Sequence, residues 1–120
     1  MKEVEISMKL TEIIESLDLE IVVKGKGLHQ EVSGGYVSDL LSDVMANSAK
    51  GNLWITLQIH QNIVAIATLK ELAGIIIIGD KEPTEDTIKK AQNEYVTILK
   101  SDLSAFELCG KLYTLGIQGD

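Results

Sequence analysis

The residues best placed to do chemistry lie where an apolar strand, Leu53-Trp54-Ile55, runs out through Thr56, Gln58, His60, Gln61 and Asn62 into a helix. Their hydroxyl, amide and imidazole groups could line a crevice and hydrogen-bond a small polar ligand. If the strand belongs to an open parallel sheet, ligand crevices lie outside its carboxyl end. A helix N-terminus there offers free N–H groups and a partial positive charge. Asp80 and the Lys100-Ser101 pair end neighbouring strands and are expected on the same rim. The Gly34-Gly35 pair lacks Cβ atoms and tolerates positive φ, which suits close approach of a ligand backbone or phosphate. The competing readings are structural: a polar cap facing water for Thr56 to Asn62, and a β-bulge or strand bend for the two glycines.

Other chemistries find less support. Asp39 and Asp43, four apart, fall on one helical face like an acid/base or metal pair, but no third ligand has suitable spacing and solvated acids explain them better. His29, His60 and Cys109 have no local metal-ligand spacing, so no metal or cofactor is assigned. A phosphate-binding P-loop needs G-x-x-x-x-G-K-[ST]. The Gly-Lys pairs are Gly25-Lys26, followed by Gly27, and Gly110-Lys111, followed by Leu112, so neither fits. No catalytic residue is assigned. The enzymatic alternative would use His60 as acid/base with Asp80 or Asp39 nearby.

These groups must be positioned by a chain of 120 residues, enough for a single domain over 1–120 with one core. Residues 1–7 read as a flexible lead and 117–120 as a flexible tail. Hydrophobic residues make up 45% and aromatics only 4%, so the core must be built mainly of Ile, Leu, Val and Ala. The net charge is −7, and all 11 basic residues are lysine. Without arginine's planar fork, nucleic-acid or phosphoprotein recognition is disfavoured. No apolar run is long enough to span a bilayer, so no membrane partner and a cytoplasmic location are expected.

Leu10, Ile13, Ile14 and Leu17 recur with helical spacing, capped by Ser7 or Thr11. Leu19 to Val23 predicts a strand, and Glu31 to Val37 an extended segment interrupted by the glycines. From Ser38 a helix presents Val37, Leu40, Leu41, Val44 and Met45 on one face and ends near Gly51. Leu53 to Leu57 predicts a strand and Ile63 to Leu72 a helix. Ile75 to Ile78, four consecutive isoleucines after Gly74, suits a central strand buried on both faces. A helix capped by Thr84 follows, then a short strand over 96–99 and a last helix from Ser104 to Gly116. Such alternation predicts a three-layer α/β/α fold with a mostly parallel sheet of about five strands. In the last helix Leu103, Phe106, Leu108, Leu112, Tyr113 and Leu115 cover more than one stripe; burial within the monomer is the favoured reading, a homodimer interface the other. Cys109, mid-helix, reads as a buried structural thiol.

The segments Gly34-Gly35-Tyr36-Val37-Ser38-Asp39-Leu40-Leu41-Ser42-Asp43-Val44-Met45, Trp54-Ile55-Thr56-Leu57-Gln58-Ile59-His60 and Ser104-Ala105-Phe106-Glu107-Leu108 resemble stand-alone DRTGG-type domains, relatives of the N-terminal domain of HPr kinase. The resemblance runs from about Met8 to Ile117. The pentapeptide that names the family is absent: Glu31-Val32-Ser33-Gly34-Gly35 keeps only its glycines, and its usual place is expected at Gln58 to Asn62. The resemblance implies an α/β/α regulatory or interaction domain that often self-associates and has no settled activity of its own. The expectation is therefore a non-catalytic, homodimeric module. It would sense a small polar or nucleotide-like ligand, or bind a protein partner, through Gly34, Gly35, Thr56, Gln58, His60, Asn62 and Asp80. A purely structural assembly subunit is the remaining alternative.

Overall fold

The computed structural model describes residues 8–119; the expected lead over 1–7 lies outside them. In chain order the elements are β1 (Met8–Lys9), α1 (Leu10–Leu17), β2 (Glu20–Val23), β3 (Glu31–Val32), β4 (Gly34–Val37), α2 (Leu41–Asn47), β5 (Asn52–Thr56), α3 (Asn62–Leu69), β6 (Gly74–Ile77), α4 (Glu85–Glu94), β7 (Ile98–Lys100) and α5 (Ala105–Thr114). Five strands form one sheet in the order β2-β7-β6-β5-β4. The pairs β4–β5, β5–β6 and β6–β7 are parallel, and β2 adds antiparallel to β7. The expected three-layer, mostly parallel architecture is therefore found. A small antiparallel pair of β1 with β3 lies outside the main sheet; the extended reading of 31–37 covers β3 and β4, whereas no sequence signal announced β1.

Because β4, β5, β6 and β7 neighbour one another in chain order, right-handed crossovers place α2, α3 and α4 on one face of the sheet. The alternation of strand side chains then sorts the core into two halves. Trp54, Ile75, Ile77 and Ile98 pack with Val44 of α2, Ile63 and Val64 of α3 and Ala91 of α4. Leu53, Ile55, Ile76, Ile78 and Leu99 pack with Leu10 and Ile13 of α1 and Leu108 and Leu112 of α5. Each fully buried isoleucine or leucine contributes roughly 1.5–3 kcal/mol, so the isoleucine run of β6, buried throughout, is a large share of the driving force.

Several local expectations are corrected. The second helix starts at Leu41, not Ser38: Val37 ends β4 and is 51% exposed, and Leu40 is 64% exposed, so neither joins an inner face. The Ser38 hydroxyl accepts the Leu40 N–H and Asp39 bonds across to β5, which holds residues 38–40 out of the helix. Lys9 rather than Thr11 stands at the N-cap of α1, its N–H donating to Glu12; Ser7, the other expected cap, lies outside the described residues. Helix α5 is not buried all round, since Leu108 and Leu112 face the core while Phe106 is 86% and Tyr113 64% exposed. Cys109 is half-buried, and desolvation raises its thiol pKa. Ile117 and Gln118 pack onto the sheet: Ile117 is buried and the Gln118 carbonyl accepts the Gly35 N–H at 2.9 Å.

Candidate functional site

The carboxyl ends of the parallel strands form one rim, reached by Ser38 and Asp39 after β4, Thr56 to His60 after β5, Gly79 and Asp80 after β6, and Lys100 and Ser101 at the end of β7. Of the residues expected at the site, the fold brings Thr56, Gln58, His60, Asn62 and Asp80 to this rim. Gly34 and Gly35 do not join them. They begin β4, opposite Asn52 and Leu53 at the start of β5, and so stand at the other end of the sheet. The Gly35 position faces Ile117, and its N–H is taken by Gln118.

Of the expected rim residues, Thr56 and Gln58 are committed to internal contacts. Thr56 is buried and donates to Asp39 Oδ1 at 2.8 Å, and the same carboxylate oxygen accepts the Leu57 N–H at 2.7 Å. Gln58 donates from Nε2 to the Asp39 carbonyl and from its backbone N–H to the Thr56 hydroxyl. Asp39 is thus a clasp that ties the end of β4 to the turn after β5, rather than one of two solvated acids on a helix. Asp43 likewise accepts from the Tyr36 hydroxyl at 2.7 Å and from Asn47 at 2.9 Å. These bonds hold its carboxyl below, and the Tyr36 phenol above, their ordinary pKa values.

His60 and Asn62 stand exposed at the start of α3. The Ile59 carbonyl between them and Gln58 accepts both the Thr84 N–H and the hydroxyl of fully buried Thr87, which docks this turn against the start of α4. The polar turn after β5 and the segment after β6 therefore form one continuous lip.

The strongest electrostatic feature of the lip is Lys100. The chain leaves β4, β5 and β6 toward the α2–α4 face but leaves β7 toward α5, on the opposite face. Adjacent connections diverge only between β6 and β7, and such divergence is what opens a ligand crevice in an α/β sheet. Lys100 ends β7 at that point, its side chain 8% exposed, and its ammonium ion-pairs with Glu82 from the segment after β6. The hydrogen bond to Glu82, with the nearby charges of Glu20 and Asp80, holds the ammonium above its usual pKa. Glu82 itself is 71% exposed. Beside Lys100 a cleft of about 280 Å³ is lined by Asp18, Leu19, Glu20, Ser101 and Asp102. The sequence signal that could have ranked Lys100 above the others is its position: a lysine closing an Ile-Leu strand must bury its stem.

Among the described residues no three His, Cys, Asp or Glu side chains converge as a metal site, and no helix is long and apolar enough to cross a membrane. A scan against protein-family models finds no match, and a search of curated proteins finds none. Among solved structures, the chain is similar to the CBS and DRTGG domains of the regulatory region of Clostridium perfringens pyrophosphatase, complexed with the activator diadenosine tetraphosphate. The TM-score is 0.70 at 16% identity, over 92% of this chain and 47% of that one. The chain thus spans about half the length of the structure it matches. The likeness is one of fold, and the fold is that of a DRTGG-type α/β domain.

Proposed function

We propose that this domain is a non-catalytic, homodimeric regulatory module that senses a small polar or nucleotide-like ligand at the divergence between β6 and β7. The observation that carries the reading is the pairing of a buried lysine with an exposed, replaceable partner. Lys100 is fixed by the strand, whereas Glu82 sits on the surface segment that follows β6. An anionic group of a ligand takes Glu82's place on the ammonium and releases that segment, which converts occupancy into a change at the lip. His60, Asn62 and Asp80 then orient the polar remainder, while Asp39, Thr56 and Gln58 keep the lip in shape. Asp18, Glu20, Asp80 and Asp102 surround the lysine, so a ligand with one anionic group is favoured over a polyphosphate.

The similar fold in the regulatory region of a pyrophosphatase supports a regulatory role, and that protein's complex with a dinucleotide activator supports a nucleotide-like ligand. A catalytic role finds no such support: Asp39, one candidate partner for His60, is committed to Thr56 and Leu57.

Thermal-shift measurements with AMP, ATP and diadenosine tetraphosphate test the proposal. A ligand present at about 100 times its Kd adds roughly 2.7 kcal/mol of stability, a rise of several degrees. AMP is expected to give the larger shift. Lys100→Met should abolish it, His60→Ala should reduce it, and Glu82→Gln should increase apparent affinity by removing the internal competitor. A shift that survives Lys100→Met, or His60-dependent turnover of the nucleotide, would overturn the reading.

A further inference from the structure

At the opposite end of the sheet, a cavity of about 230 Å³ lies under the carboxyl ends of α3 and α4 and the loop that follows β2. Its inner wall is apolar, built from Ala67, Leu72, Ala73 and Val96, and its mouth carries Lys26, Lys50, Glu71, Glu94 and Tyr95. We propose that this cavity binds a free amino acid with an apolar side chain, recognised through both of its charges.

The charges at the mouth come in two cations and two anions. Lys50 and Glu71 lie 3.8 Å apart and satisfy each other, whereas Lys26 and Glu94 have no ion-pair partner among the described residues. One unpaired ammonium and one unpaired carboxylate bordering a half-apolar cavity match a zwitterion whose side chain occupies the inner wall. A polyphosphate is disfavoured, because only Lys26 is an unpaired cation at the mouth, Glu94 stands there as an unpaired anion, and two helix C-termini add partial negative charge.

The backbone points the same way. Glu71 and Tyr95 both adopt left-handed conformations, at φ +53° and +58°, where glycine is the usual residue. A bulky aromatic there carries conformational strain, and both side chains border the cavity. The walls are also held in place before any ligand arrives. The Lys26 N–H donates to the Tyr95 carbonyl at 3.0 Å, and the Thr97 hydroxyl accepts the Gly27 N–H while donating to the Lys24 carbonyl.

Thermal-shift and calorimetric titration of the full chain with L-leucine, L-methionine and L-phenylalanine provide the test, with their amides and N-acetyl derivatives as controls that each lack one charge. At least one free amino acid should raise Tm and its two derivatives should not. Tyr95→Gly should leave Tm equal or higher, because the strain is relieved, yet lose the response. Lys26→Gln and Glu94→Gln should each weaken binding by about tenfold or more, the loss expected for one charge-assisted hydrogen bond. Lys100→Met and His60→Ala should leave it unchanged, which separates this site from the one at the carboxyl rim. Absence of binding by all three amino acids, equal binding by the amides, or full binding by Tyr95→Gly would overturn the proposal.

Discussion

Among single residues, the contact between Tyr36 and Asp43 shows how a surface hydrogen bond becomes a pH-dependent one. Asp43 is held below the ordinary carboxylate value of 3.8 by Asn47 and by the Tyr36 hydroxyl, so its contribution to stability is complete above 3.8 and disappears as pH falls through the lowered folded-state pKa. Tyr36 is held above the ordinary phenol value of 10.0 by the same bond, so its contribution is complete below 10.0 and is lost as pH rises through the raised value. The bond therefore works at full strength between the two. Melting curves of Tyr36→Phe and wild type should differ most inside that window and converge at both extremes; a difference independent of pH would show that the ring's packing, not its hydroxyl, is what matters. Thr56 and Asp39 give the same lesson at the rim. Residue type marked them as ligand-binding or solvated groups, but a donor and an acceptor 17 positions apart in sequence satisfy each other across two strands. Nothing in local spacing reveals such a pair.

Elements were legible where a periodic apolar signal was long. The isoleucine run gave β6, the spacing of Leu10, Ile13 and Leu17 gave α1, and Thr84 and Ser104 do cap α4 and α5, each accepting the N–H three residues on. The shortest and the polar-bonded segments were less legible. The extended reading of 31–37 covers β3 and β4, but the two-residue strand β1 has no period to read, and the start of α2 is displaced by bonds from Ser38 and Asp39 that sequence spacing does not show. The same limit placed Gly34 and Gly35 at a site they do not share, since strand direction, not composition, decides which end of the sheet a residue reaches. Glycine matters structurally at Gly27 instead. A Cβ there would lie 2.2 Å from the Ala73 carbonyl oxygen, because the loop after β2 is pressed against the chain entering β6. Gly27→Ala must push this loop outward and should cost about 1–3 kcal/mol, as overpacking does elsewhere. It should also reshape the amino-end cavity while leaving AMP binding at Lys100 intact. Chemical denaturation beside an AMP titration checks both, and a variant as stable as wild type would show that the loop yields freely.

For the whole molecule, the proposed homodimer can be tied to one surface. Leu17, Phe106, Gly110, Thr114 and Leu115 border a groove on the outer side of α5, with Glu107 and Lys111 beside them. In the proposed dimer a two-fold axis near Gly110 would set each Glu107 against the partner copy's Lys111, the self-complementary arrangement that an isologous interface requires. Apart from the adjoining backbone of its own helix, nothing lies within 4 Å of the position a Cβ on Gly110 would occupy, which leaves room for a second helix to approach closely and for exposed Phe106 to be covered. Substitution here separates folding from association. In an isolated helix, Gly110→Ala should add about 0.5–1 kcal/mol of stability. At a close helix crossing the same methyl group must hold the two copies apart. The variant should therefore be at least as resistant to denaturant as a monomer yet sediment at half the wild-type mass, and Phe106→Glu should also sediment as a monomer. Wild type that stays monomeric as its concentration rises, or a dimer indifferent to both changes, would remove α5 as the interface and leave the lip at Lys100 to signal within a single chain.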